Sequence, residues 1–351
     1  AICCCTDCVS LHLPDQCETQ EQVERPTMRA RWAWTITVII LVGIMFSYTQ
    51  DELRTTSVLS FSLRYAVPLI IAAMVGLVCE RSGVINIGIE GQLLMSAFAG
   101  FFGAALTGSL ILGTLFGIGT GLIMGAVFAT GAVAWKMDQI ISGTIINIIA
   151  TGLTSFFYAQ GKVLPASTPV VAIPYLKDLP LVGPVLFNNG LFTYAAIIIV
   201  IFLQIMLFLT IWGLRTRAVG ENPSSADTSG INVQRTRFIN VTLAGGLAGV
   251  AGAYLSLEAA GTFERGFTAG RGFTALAIMI FGAWNPVGAF AAALFFGLTQ
   301  GVASQLQADE VIDIPPQFIN MLPYVLTIVL LAVVAGRVRP PAAVGKPYEK
   351  D

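Results

Sequence analysis

Charge is what this sequence has least of. Asp, Glu, Lys and Arg make up 11% of its 351 residues, less than half the share of about 25% that a water-facing fold carries. A soluble globular chain is therefore excluded, and lipid must meet much of the surface. Histidine is scarcer still, with His12 standing alone. Without a second imidazole or a cluster of carboxylates, acid–base and metal catalysis have little to work with, and the chain reads as no enzyme, with no catalytic or metal residue. Five of six cysteines, Cys3, Cys4, Cys5, Cys8 and Cys17, precede residue 18, so Cys79 is left alone in the apolar body and no disulfide framework is available. There is no basic block either: 19 Lys and Arg against 20 Asp and Glu give a net charge of −1, which removes nucleic acid as a partner. Also missing is a phosphate loop ending Gly-Lys-Ser/Thr. Gly161-Lys162 and Gly345-Lys346 are followed by Val163 and Pro347, so this chain cannot hydrolyse ATP by that chemistry. No cofactor is expected on it.

Apolar residues (55%) and 36 glycines take the vacated share. Residues 1–27 differ in composition from everything after them, and the first Met is Met28. They read as a disordered or non-native Cys-rich tail; a zinc knuckle from Cys5, Cys8, His12 and Cys17 is the weaker alternative, since nothing around it looks foldable. Residues 28–350 read as one transmembrane domain.

A helix needs about 20 apolar residues to cross the hydrocarbon core. Ten spans are predicted, over 32–48, 63–79, 84–106, 110–134, 139–159, 191–213, 238–257, 272–283, 287–306 and 318–336. The runs are long and do not alternate in polarity, so the fold class is all-α and polytopic rather than a barrel. With both termini cytoplasmic, thirteen Lys and Arg fall inside, among them Arg81, Lys136, Arg217 and Arg237, against six outside, including Arg64 and Arg271. Gly113, Gly117, Gly121 and Gly125 form one stripe of small residues and Gly245, Gly246, Gly249 and Gly252 another; tight helix packing is favoured over a sliding role.

Two stretches interrupt the helical pattern at membrane depth. In Glu80–Gly91 (ERSGVINIGIEG) the irregular backbone calls for a protein or water-filled surrounding, which places it by the pathway. A carboxylate there costs on the order of 3 kcal/mol and is usually partnered or functional. Glu90 is that carboxylate, with Arg81 a partner for a buried pair, and Asn86 shares its face if the segment is helical. The second break, Gly261–Thr274, precedes a short apolar segment and Trp284-Asn285-Pro286. Paired interrupted segments point to a translocation pathway. The inner stretch 215–237 contains Asn222 as a cap, Pro223 as a first-turn residue and Gly230 as a stop, the marks of a short helix.

Glu80–Gly91, Arg217–Val233 (RAVGENPSSADTSGINV), Gly270–Ala289 (GRGFTALAIMIFGAWNPVGA) and Gly345–Lys350 together resemble the permease subunits of ABC importers for simple sugars and nucleosides, over roughly residues 30 to 350. The resemblance implies a type II importer fold with about ten helices, pairing with a second, unlike permease subunit, a cytoplasmic ABC ATPase that binds the ATP, and an extracytoplasmic substrate-binding protein. The coupling segment would be Asn222–Asn232, with Asn222, Pro223, Ala226, Asp227, Gly230 and Asn232 toward the ATPase; its filling departs from the more basic or aromatic family pattern. Asn86, Glu90, Phe263 and Phe273 match positions near the pathway. A branched-chain amino acid permease is the nearest alternative. An ion-coupled secondary transporter fits less well, because Glu90 is nearly alone among ionisable groups in the spans.

Overall fold

The computed structural model describes residues 47–158, 169–177, 179–308, 321, 325 and 339–349. The tail 1–27 and nearly all of the expected spans 32–48 and 318–336 lie outside the described residues. The chain divides into two units, residues 1–56 and 57–351. In the first, the Asp51 carboxylate accepts the Arg54 N–H at 3.0 Å and caps the following helix.

The eight remaining spans are all helical. They are α1 (Glu52–Arg81), α2 (Ile89–Thr107), α3 (Leu110–Ala129, prolonged by a π turn, Thr130–Ala134) and α4 (Gln139–Phe157). A two-stranded antiparallel ribbon follows, β1 (Val170–Ala172) with β2 (Asn188–Gly190), flanking the five-residue α5 (Val182–Leu186). Then come α6 (Leu191–Leu209), α7 (Ile211–Glu221), α8 (Pro223–Thr228), α9 (Val233–Ala253, prolonged by a π segment, Tyr254–Ala259), α10 (Arg271–Phe281) and α11 (Pro286–Ala308). Among the described residues, seven helices are long and apolar enough to cross a bilayer, and α10 is the shorter apolar one. The protein is a multi-pass membrane protein.

α1 begins eleven residues before the expected 63–79, α2 begins at Ile89 rather than at 84, and two further boundaries differ. The run 191–213 is not one span, because Thr210 takes extended backbone (φ −112°, ψ 159°) and its hydroxyl accepts the Gly213 N–H, starting α7. The inner stretch 215–237 is in turn mostly helical rather than a loop, made of α7, α8 and the start of α9.

The second unit is organised by which faces avoid lipid. Ala66 to Cys79 of α1 are almost wholly buried, whereas Ile111 and Ile123 of α3, Ile148 and Phe156 of α4 and Ile198 and Ile201 of α6 are exposed, the outward apolar faces expected in hydrocarbon. Inside, contact is made through glycine. A Cβ on Gly121 would lie 2.6 Å from Gly249 N, and one on Gly249 would lie 2.5 Å from Ile118 Cα, so α3 and α9 meet backbone to backbone, the tight packing expected at each stripe.

Pro68 sits inside α1 and offers no N–H, which orphans the Arg64 carbonyl one turn back. The Tyr254 hydroxyl, at the start of the π segment, donates to that carbonyl at 2.7 Å, supplying from α9 what α1 cannot supply itself.

Candidate functional site

The two interrupted stretches meet, through contacts between residues 178 to 182 apart in sequence. α10 begins at Gly270 in the left-handed region (φ 82°) with no side chain of its own as a cap, so its first N–H groups need an outside acceptor. Glu90, in the first turn of α2, provides it. Its Oε1 accepts from the Thr268 hydroxyl at 2.6 Å and from Gly270 N at 2.8 Å, and its Oε2 accepts from Gly272 N at 2.7 Å. The carboxylate also lies at the positive end of the α10 dipole. This closeness requires glycine: a Cβ on Gly272 would stand 2.6 Å from Glu90 Cα and N.

The far end of α10 is held by the start of the same stretch. Gly282 ends the helix, Ala283 and Trp284 follow with φ of 54° and 53°, and the Trp284 indole N–H donates to Glu80 Oε2 at 2.6 Å. Arg81 Nε donates to the Trp284 carbonyl at 2.8 Å. Asn285 then caps α11 through Val287 N at 2.9 Å, with Pro286 in the first turn. Thus Glu80, Arg81 and Glu90 grip both ends of an eleven-residue helix. The expected Arg81–Glu90 pair is not formed, because Glu90 is satisfied by neutral N–H and O–H donors and Arg81 by a carbonyl.

Residues 84–86 have no helical structure and α2 starts only at Ile89, so Asn86 and Glu90 do not share a helical face. Asn86 is fully buried, and its amide donates to Gln92 Oε1 at 3.2 Å and to Cys79 Sγ at 3.7 Å. The rest of the break is satisfied from α4: Gln139 Oε1 accepts Ile85 N at 2.7 Å, while Asn147 accepts Gly91 N at 2.7 Å and donates to the Ile87 carbonyl at 3.1 Å. Protein side chains, in place of a water-filled cavity, thus complete this backbone. Sequence reading missed Gln139 and Asn147; two carboxamides eight apart, the only amide side chains on α4, were the available signal.

Phe263 is buried with Leu94, Ala97 and Phe101, against Phe98, Phe102, Tyr158 and Phe267. Its ring meets Phe98 edge-on at 5.3 Å. Phe273, on α10, is 49% exposed.

The segment 222–232, expected from the resemblance to couple to an ATPase, folds locally as its residues dictate. Asn222 Oδ1 accepts Ser225 N at 3.1 Å, Pro223 opens α8, and Gly230 follows in the left-handed region (φ 83°). Asn232 Oδ1 accepts Arg235 N at 2.9 Å and caps α9. Ala226 is buried against Val219 and Val233, with Tyr348 packed on them, while Asn222, Ser224, Ser225 and Gly230 are exposed and Asp227 is half-buried. The carboxyl-terminal segment straps the base of this unit. Ala343 N donates to the Gly220 carbonyl at 3.0 Å and Gly345 N to the Gly83 carbonyl at 3.2 Å. Arg237, 2% exposed, donates through Nε to the Ser82 carbonyl at 3.0 Å and through Nη1 to the Lys346 carbonyl at 2.9 Å. One buried guanidinium therefore joins the break, α9 and the strap, a role that positive-inside counting could not reveal.

Residues 58–332 match the family described as branched-chain amino acid transport system / permease component. The chain is 38% identical over 305 residues to the guanosine ABC transporter permease protein NupQ of Bacillus subtilis, covering 82% of this chain and 95% of that one. It is 38% identical, with the same coverage, to the nucleoside ABC transporter permease protein NupC of Lactococcus lactis. A second permease of that organism, NupB, is 24% identical over 273 residues, covering 73% of this chain and 74% of NupB.

Proposed function

The chain belongs to the branched-chain amino acid transport system permease component family of ABC transporters, and on that premise we propose that it is one of two unlike permease subunits of an ATP-driven importer of nucleosides. The geometry that carries the reading is α8, a capped six-residue helix standing between α7 and α9 with Ser224, Ser225 and Thr228 exposed and Ala226 seated inward. Such a projection gives a cytoplasmic ATPase something to push. Asn222, Pro223, Ala226, Asp227, Gly230 and Asn232 form or brace it; ATP is bound by the partner, and this chain carries no cofactor.

The cargo assignment rests on relatives named for nucleosides at 38% identity, whereas a branched-chain amino acid has only the family's description behind it. Pairing with an unlike subunit fits the match to two differently named permeases of one Lactococcus lactis, at 38% and 24%. Both termini are proposed to be cytoplasmic. In support, Arg81, Lys136, Arg217, Arg237 and Lys346, all counted as inner, gather at one end: Arg81 and Arg217 stack on the Phe208 ring at 5.6 and 5.0 Å, and Lys136 pairs with Glu349 at 3.4 Å. Four residues are assigned to shaping the pathway: Asn86 orders the break, Glu90 anchors α10, Phe263 packs the aromatic wall and Phe273 stands free on α10. A substrate-binding protein delivers from outside.

The test is uptake by cells carrying the complete system, with radiolabelled nucleosides, ribose and leucine offered in turn. Nucleoside uptake that stops when the ATPase is inactivated supports the reading; leucine uptake alone refutes it. A Ser225→Cys variant should be labelled by an impermeant maleimide only in inside-out vesicles, and labelling of intact cells would overturn the orientation.

A further inference from the structure

A cavity of about 510 Å³ opens between α1, the π segment after α9, the start of α10 and the ribbon, within the range of 300–1,000 Å³ typical of small-molecule sites. From Arg237 to Glu258 the helix climbs 21 residues, about 30 Å at 1.5 Å per residue, so the cavity lies at the opposite end from α8. Three charges converge on it, Arg64, Glu258 and Arg271, beside the rings of Phe61, Tyr65 and Tyr254.

Arg64 and Glu258 attract one another across the cavity, but the charges are not locked in contact. Among the described residues none of the three is in an ion pair. Glu258 takes one N–H, from Phe192 to Oε2 at 3.2 Å, leaving Oε1 open; Arg271 gives one, from Nη1 to the Phe267 carbonyl at 3.0 Å, and lies 5.6 Å from the centre of the Tyr65 ring. The site is also built with cost: a Cβ on Gly190 would collide with the Glu258 carboxylate, so β2 ends on glycine where Glu258 needs room.

We propose that this cavity binds the base of a 6-oxopurine nucleoside on its way into the pathway. Guanidinium groups only donate and a carboxylate only accepts. The ligand must therefore present acceptors to Arg64 and Arg271 and donors to Glu258 across one flat unit. A 6-oxopurine does so, with O6 and N7 as acceptors beside a ring N–H as donor. Phe61, 45% exposed on the cavity wall, offers an apolar ring to such a base, while Tyr65 stacks on it near parallel at 24° and carries Arg271. A phosphate would suit the arginines but is repelled by Glu258, and a sugar, whose C–H face can lie on an aromatic ring, lacks the fixed in-plane pairing of acceptors and N–H donor that these three charges ask for. This site rests on the importer reading above, and deepens it by naming the base and the residues that read it.

The experiment uses the assembled complex with Val170→Cys, on the cavity rim, and follows maleimide labelling at that position by peptide mass spectrometry. Guanosine is expected to slow labelling and ribose to leave it unchanged. With Glu258→Gln added, the half-protecting guanosine concentration should rise about 10- to 100-fold, the worth of one hydrogen bond to a charged group. If Glu258→Gln does not assemble, Arg64→Gln carries the same expectation. Equal labelling with and without guanosine, equal protection by ribose, or unchanged protection in the variant overturns the site. Guanosine uptake by the unaltered complex is measured alongside. No uptake of any nucleoside refutes the importer reading, and uptake without protection refutes the site alone.

Discussion

Replacing Glu90 by Gln tests the junction of the two breaks at its narrowest point. The carboxylate takes three donors, two on Oε1 and one on Oε2. An amide has a single acceptor oxygen and an NH₂ that only donates. Its better orientation keeps Thr268 and Gly270 and turns the NH₂ toward Gly272 N–H, so a donor faces a donor. The loss comprises one charge-assisted hydrogen bond, about 1.5–3 kcal/mol, partly overlapping the penalty of an orphaned N–H, about 1–3 kcal/mol. A net cost of about 2–4 kcal/mol falls on the first turn of α10. Hydrogen exchange on the purified complex reads it directly: protection of Gly270 and Gly272 should fall about 30- to 1,000-fold, while Glu80-side contacts at Trp284 keep theirs. Uptake normalised to assembled complex should fall with it, because α10 would lose its fixed start. Wild-type exchange at both glycines with wild-type uptake would refute the junction. Loss of the complex itself would show that the carboxylate is needed for folding rather than for holding α10 in place.

Gly230→Pro imposes φ near −65° where the chain has 83° and removes an N–H that donates to the Asp227 carbonyl at 2.9 Å; membrane abundance should hold while ATP-driven uptake is lost. Arg237→Ala leaves the Ser82 and Lys346 carbonyls without their donor, at about 2–4 kcal/mol in total, and hydrogen exchange at the Ala343 and Gly345 amides of the strap should then quicken at least tenfold. Gly121→Val and Gly119→Ala form a matched pair. The first drives a side chain into the backbone of α9 and should abolish assembly, whereas Gly119 has nothing within 4 Å of an added Cβ, so its replacement should raise thermal stability by roughly 0.5–1 kcal/mol.

Sequence alone determined the features that depend on near neighbours along the chain or on bulk composition. Scarce charge and long apolar runs make a helical membrane protein whatever the packing, since a bilayer tolerates no unsatisfied backbone. Asn222, Pro223 and Gly230 specify α8 because caps and stops act within a turn. The glycine stripes announced two helix faces open to close packing, and only the fold set the one on α3 against the one on α9. Tertiary structure decided everything joined across distance. That Glu90 caps a helix beginning 180 residues later, that Trp284 donates to Glu80, and that Tyr254 repairs the carbonyl orphaned by Pro68 follow from which spans lie side by side. The same holds for the cavity: Arg64 and Arg271 counted only as outer charges and Glu258 carried no signal, and only the crossing of α1, α9 and α10 brings the three to one wall. Side chains that satisfy backbone at a break carry no local signature, because their partners are N–H and C=O groups that every residue has.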